Sequence, residues 1–213
     1  MALREGEHPD VAVRTPAVTI PVMDADEVAA RLKRPERLYE RQELLRHPSP
    51  IPAVPGLYGW YFDTLPHPSI RDIGTVTGGW SLLYIGIAPS GPPSRSNLRK
   101  RLRHHLSGNA RGSTLRLTLG ALLLDALKLE PSPASGRLSF GPTEHRLSAW
   151  LDEHTRVVWV EHPQPWAVEA EVVRLLVVPL NRQHNAAHQF HETLGRLRSS
   201  LRNYDSARGG EGA

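Results

Sequence analysis

The chain has 213 residues, 39% of them hydrophobic, and no cysteine; it is long enough for one substantial domain with appendages, and its composition excludes disorder throughout. Without cysteine there is no disulfide framework, thiolate zinc site or cysteine nucleophile, and no N-terminal apolar core or run of ~20 apolar residues signals secretion or membrane crossing, so a soluble cytoplasmic protein is expected. A net charge of +4 and a pI near 9.7 suit an anionic partner, and residues 95–116 carry many cations, mostly arginine, with no carboxylate.

Residues 1–21 read as a polar lead-in. Asp24 and Glu27 make a capping-box start for a helix continued by Val28, Ala29 and Leu32. Pro35 ends that helix or opens a second one through Leu38, Tyr39, Leu44 and Leu45. Residues 1–50 are thus expected to form a partly helical N-terminal arm packed on the main domain, with DNA contact as its alternative role. The proline-rich stretch His47–Pro55 marks the boundary.

Pro55-Gly56 opens an aromatic strand that ends at Phe62. A Pro/Gly/Thr-rich loop, Asp63–Trp80, leads to a second strand, Ser81–Ile85, closed by Gly86, where the missing side chain admits a backbone or ligand. After another loop, Pro89–Ser96, either Asn97 or Ser96 caps a helix with Leu98, Leu102 and Leu106 on one stripe. At ~100° per residue, Arg101 and His105 fall on the edge of that stripe, half-buried side by side, while Lys100, Arg103 and His104 point to solvent. Gly108-Asn109 stops this helix. Ser113 or Thr114 caps the next, through Leu117 to Leu123, and the cap sets Arg116 and free N–H groups where anions bind; a plain structural cap is the alternative.

Glu130–Pro142 reads as a loop, Thr143 as the cap of a helix through Leu147 and Trp150, and Val157–Val160 as a buried strand. Pro165 suits the first turn of a further helix. On it Glu169 shares a face with Val172, Val173 and Leu176, whereas Glu171 faces out beside Arg174. An inward carboxylate needs a cation or metal beside it. His184, His188 and His191 would share one helical face, an arrangement that zinc accepts but that surface histidines also produce. Ser199–Ala213 reads as disordered.

Gly56-Leu57-Tyr58, Tyr84-Ile85-Gly86, Arg101 on the next helix, Glu169 on a later one and Asn181 beyond it follow one another in an order that resembles the GIY-YIG nuclease superfamily. That superfamily includes the excision-repair nuclease subunit, phage homing endonucleases and some type II restriction enzymes. The resemblance spans residues 51–185 and implies an α/β domain with a small central antiparallel β-sheet flanked by helices, leaving 186–213 as a C-terminal helix and disordered tail. It implies a metal-dependent endonuclease that acts on DNA, with RNA as the alternative substrate, and leaves a 5′ phosphate and a 3′ hydroxyl.

In that family pattern Arg101 stabilises the phosphate, a role its fork of donors suits. Glu169 ligates one Mg²⁺, Tyr58 is the base, Tyr84 hydrogen-bonds within the site, and Asn181 orients groups or braces the loop. A phenol with a pKa near ~10 needs help from a nearby cation or a metal-bound hydroxide. His105, one turn beyond Arg101 and titrating near neutrality, is placed to share the proton transfer, and some restriction and homing members carry histidine there. Lys100, Arg103, His104, Ser113, Thr114 and Arg116 are the expected nucleic-acid contacts. Asp63–Trp80 and Pro89–Ser96 are insertions relative to compact members. Ile87 stands where repair members usually have lysine, and the chain therefore looks like a restriction- or homing-type variant. Two readings compete: a non-catalytic nucleic-acid-binding module on the same fold, which has no need of an inward carboxylate, and a metal-dependent hydrolase built on the C-terminal histidines.

Overall fold

The computed structural model describes residues 20–71, 73–134 and 137–208; the lead-in before Ile20 and the chain beyond Arg208 lie outside them. Asp24 caps the first helix, α1 (Ala25–Lys33), by accepting Glu27 N–H at 2.8 Å, and Val28, Ala29 and Leu32 bury one face of it. Pro35 does not open a long helix. Tyr39 instead exchanges backbone hydrogen bonds with Val157, 2.9 Å in each direction, and stacks on Trp159. Two ladder bonds and an aromatic stack outweigh weak helix propensity there, so only one turn, α2 (Arg41–Leu44), forms.

Strand β1 (Gly56–Phe62) is followed by β2 (Val76–Thr77) and β3 (Trp80–Ala88), which runs on past Gly86 instead of ending there. Asn97 caps α3 (Leu98–Ser107) through Lys100 N–H at 2.9 Å. Ser113 caps α4 (Thr114–Leu122) through Arg116 N–H at 3.1 Å. Residues 130–142 are not simply a loop: β4 (Ser132–Ala134) pairs with β5 (Arg137–Ser139) in a small hairpin. Thr143 precedes α5 (Glu144–His154) without capping it. Its hydroxyl donates to Phe140 O at 2.6 Å and accepts Glu130 N–H, tying the hairpin to the helix. β6 (Thr155–Glu161), α6 (Pro165–Leu176) and α7 (His191–Arg208) complete the chain.

The four-stranded sheet has the order β2-β3-β1-β6, and β1 pairs antiparallel with both β3 and β6. Sandwiched in this way, β1 is buried along its length, and its side chains alternate between two cores. Leu57 and Tyr61 join α1 and α6 on one face. Tyr58, Trp60 and Phe62 join α3, α4, α5 and α7 on the other. The domain is therefore α/β, with a small antiparallel sheet flanked by helices. The arm is integral to it, since α1 packs against α6 and the 47–55 stretch docks on α3 through Leu98 N–H to Val54 O at 2.9 Å.

The C-terminal segment departs most from expectation. α7 runs to Arg208, so residues 199–208 are helical. Phe190, Leu194 and Leu201 are buried in the same core as Tyr58 and Leu102, and burying each such side chain contributes roughly 1.5–3 kcal/mol. Among the described residues no helix is long and apolar enough to cross a membrane.

Candidate active site

Tyr58 and Gly86 face each other across the β1–β3 ladder. The ring of Tyr58 lies directly over Gly86, and a Cβ there would collide with its hydroxyl and ring carbons. The close approach that Gly86 permits is thus made by Tyr58. Its hydroxyl oxygen accepts a hydrogen bond from Arg101 Nε at 3.3 Å and lies 2.7 Å from His105 Nε2. Burial, then the neighbouring Tyr84, push the Tyr58 pKa far above the usual phenol value, against the opposing pull of Arg101.

Arg101 and His105 leave the edge of the α3 leucine stripe in different environments. Arg101 is half-buried and also donates from Nη1 to Gly112 O at 3.5 Å. Burial works against its charge, but Tyr58 and Tyr84 more than offset this, and its pKa lies above the ordinary guanidinium value. His105 is fully buried. Burial first, then Arg101, His104 and Arg116, hold its pKa well below the ordinary imidazole value, so it is neutral. Its Nδ1 lies 2.6 Å from Ser113 Oγ. It does not line the cavity, and its contact with the chemistry runs through Tyr58.

A cavity of about 560 Å³ opens beside these groups, lined by Tyr58, Tyr84, Arg101, Thr114, Glu169 and Asn181 among others. Glu169 is half-buried on α6, as the helical spacing predicts, while Glu171 is exposed and paired with Arg174. Burial raises the Glu169 pKa, and nearby His184 only partly opposes this. Asn181 has a specific task. Its Oδ1 accepts Ile85 N–H and its Nδ2 donates to Ile85 O, both at 2.9 Å. Those backbone groups lie on the edge of β3 beyond the reach of β2, and Leu180 N–H bonds to Leu83 O next to them. Asn181 therefore braces the loop after α6 against the strand that carries Tyr84.

The six residues expected to contact nucleic acid divide into three groups. Lys100, Arg103 and His104 are exposed on the outer face of α3, and Thr114 is exposed at the cavity rim. Arg116 is fully buried and cannot reach a phosphate backbone. It pairs with Glu144 at 2.8 Å and donates to Ser148 Oγ and to His105 O. Ser113 is also buried, between the α4 cap and His105. The sequence reading missed Arg182 and Arg198, which line the cavity with Arg101. The signal available for Arg198 was the spacing of Phe190, Leu194, Leu197 and Leu201, which marks α7 as a packed helix rather than a tail.

His184, His188 and His191 do not share a helical face, because α7 begins only at His191. Among the described residues no cluster of three or more His, Cys, Asp or Glu side chains is arranged to hold a metal. A cation at Glu169 would rest on a single carboxylate. That donor suits a hard ion that keeps its waters and takes further oxygens from a phosphate, and it does not suit a closed zinc site.

A family model described as the GIY-YIG catalytic domain matches residues 56–200, well over half of the chain and extending into α7. No curated protein and no solved structure matches it.

Proposed function

From the chain's membership of the GIY-YIG nuclease family, which brings a nuclease-type activity, a nucleic-acid substrate and use of divalent metal ions, we propose a Mg²⁺-dependent endonuclease that hydrolyses DNA to 5′ phosphate and 3′ hydroxyl ends. The observation that carries this reading is the meeting of Tyr58, Tyr84, Arg101 and Glu169, from β1, β3, α3 and α6, on one cavity.

Hydrolysis needs a water in line with the departing 3′ oxygen, a group to take its proton, and donors for charge on the phosphate oxygens. Arg101 keeps its charge, and its unshared N–H groups serve a non-bridging oxygen. Arg182 and Arg198 line the same cavity with one carboxylate, and the positive excess draws a phosphate inward. Tyr58 takes the proton of the attacking water. Its raised pKa means that the phenolate forms only when cationic groups crowd around it, and Arg101 Nε is the first of these. Tyr84 lies beside Tyr58 and orients the water. A Mg²⁺ ion held by Glu169 would neutralise phosphate charge and stabilise the departing oxygen, which takes its proton from solvent.

Incubating the protein with supercoiled plasmid, in Mg²⁺ and in chelator, tests this. The expected result is nicking in Mg²⁺ only, with ends that DNA ligase reseals directly. Absence of cleavage across plasmid, single-stranded and branched DNA, or ends that resist resealing, contradicts it.

A further inference from the structure

Ser113 occupies a place that neither the cap on α4 nor the active-site cavity fully explains. Its Oγ already accepts Arg116 N–H at 3.1 Å, as an N-cap should. The same oxygen lies 2.6 Å from His105 Nδ1, and Ser113 is only 1% exposed. A hydroxyl has one proton to donate, and a buried proton without an acceptor is unfavourable. Among the described residues the only acceptor that proton meets is His105 Nδ1. Nδ1 then carries the lone pair, and the ring proton sits on Nε2, 2.7 Å from Tyr58 Oη.

We propose that Ser113 is a positioning residue for hydrolysis: by donating to Nδ1 it fixes His105 as the Nε2–H tautomer, which donates to Tyr58. With Arg101 Nε at 3.3 Å, the Tyr58 oxygen then has two N–H donors, the arrangement that stabilises a phenolate. The tyrosine proton then turns to the hydroxyl oxygen of Tyr84, the remaining hydrogen-bond neighbour of Tyr58. This role rests on Tyr58 acting as the base. The phenolate forms by loss of the Tyr58 proton to solvent through the cavity that Tyr58 lines; the attacking water then gives its proton to the phenolate oxygen, and His105 keeps its own proton throughout.

The surroundings of His105 agree with a neutral donor. Tyr58 faces it from β1, Tyr84 from β3 and Trp60 edge-on. The cationic or titratable groups that act on it are Arg101 and His104 on its own helix and Arg116 from α4, and all three disfavour an imidazolium. Glu144 is engaged by Arg116 and lies one residue further out.

Nitrogen-15 NMR of the full chain, free of DNA and metal, reads the tautomer directly. The expected spectrum has the His105 proton on Nε2, whereas a proton on Nδ1 overturns the proposal. Ser113→Gly separates positioning from capping, because glycine replaces serine at an N-cap with little loss of stability. In this variant the tautomer should become mixed. Cleavage of plasmid should fall about tenfold or more at neutral pH, the usual weight of one hydrogen bond to a charged group, and its rise with pH should shift to higher pH. Ser113→Thr keeps the hydroxyl and should restore the Nε2–H form and the rate. A Ser113→Gly protein with the parent's rate and pH profile also overturns the proposal. If no variant cleaves any substrate, the nuclease reading fails while the NMR result still decides the tautomer.

Discussion

Replacing Arg116 with methionine is expected to damage stability severely while leaving the charge that DNA meets unchanged. Arg116 has no exposed side-chain surface, and Glu144 is 15% exposed. Removing the cation leaves a nearly buried carboxylate held, among the described residues, by Ala110 N–H, at 2.8 Å, and Phe140 N–H, at 3.2 Å. Breaking one partner of a buried pair costs about 3–5 kcal/mol. For a domain of this size, with ~2–4 °C per kcal/mol, the melting temperature should fall by roughly 6–20 °C. Arg116→Met/Glu144→Gln should recover most of that, because a neutral amide oxygen still accepts from Ala110 and Phe140. Thermal melts of the three proteins give the stabilities. The salt dependence of DNA binding by the double variant gives the second readout. If Arg116 neutralised a phosphate, its removal would reduce the slope by about 0.9, whereas the buried pair predicts no change. A melt within about 2 °C of the parent, or a slope reduced by that amount, refutes this assignment.

Gly86→Ala forces the Tyr58 ring off β3, and overpacking of this kind costs ~1–3 kcal/mol. A misplaced base costs ~10²-fold or more in rate, so cleavage should collapse in a protein that still melts cooperatively; parental activity would contradict the packing. Because burial raises the Glu169 pKa, folding favours its protonated form. The destabilising charge is absent below the ordinary glutamate range and fully present above the raised pKa, so Glu169→Gln should melt higher than the parent at pH 8 and no higher at pH 4. The reverse order would remove Glu169 from its half-buried place. Asn181→Ala strips both partners from the Ile85 backbone, at ~1–3 kcal/mol for each unsatisfied group. Hydrogen exchange at the Ile85 amide should accelerate sharply, and unchanged protection would refute the bracing role.

Local periodicity carried much of the site. The leucine stripe of α3 placed Arg101 and His105 at its edge and the other cations outside, and the offsets along α6 separated Glu169 from Glu171. The cap at Asp24 was legible, and those at Asn97 and Ser113 to within one residue, because capping is decided within four residues. What stayed hidden depends on partners distant in sequence. Arg116 meets Glu144 from 28 residues away, so a cation in a basic stretch read as a phosphate contact. Tyr39 pairs with Val157 across the whole domain, and that pairing replaced the expected helix. β4 and β5 are too short for a period-2 pattern. In α7 the apolar spacing is diluted by Gly195 and four arginines between 191 and 208, and polarity obscured a helix that packs into the core.

We propose that DNA is cleaved in the cavity shared by Tyr58, Arg101 and Glu169, with a divalent ion at the carboxylate. The most direct test is plasmid cleavage by the parent and by Glu169→Ala over a range of Mg²⁺ concentrations, with DNA binding measured in chelator for both proteins. The expected result is Mg²⁺-dependent nicking by the parent, none by Glu169→Ala, and nearly equal binding. Parental cleavage by Glu169→Ala, or DNA bound but cut by neither protein at any Mg²⁺ concentration, would contradict the account.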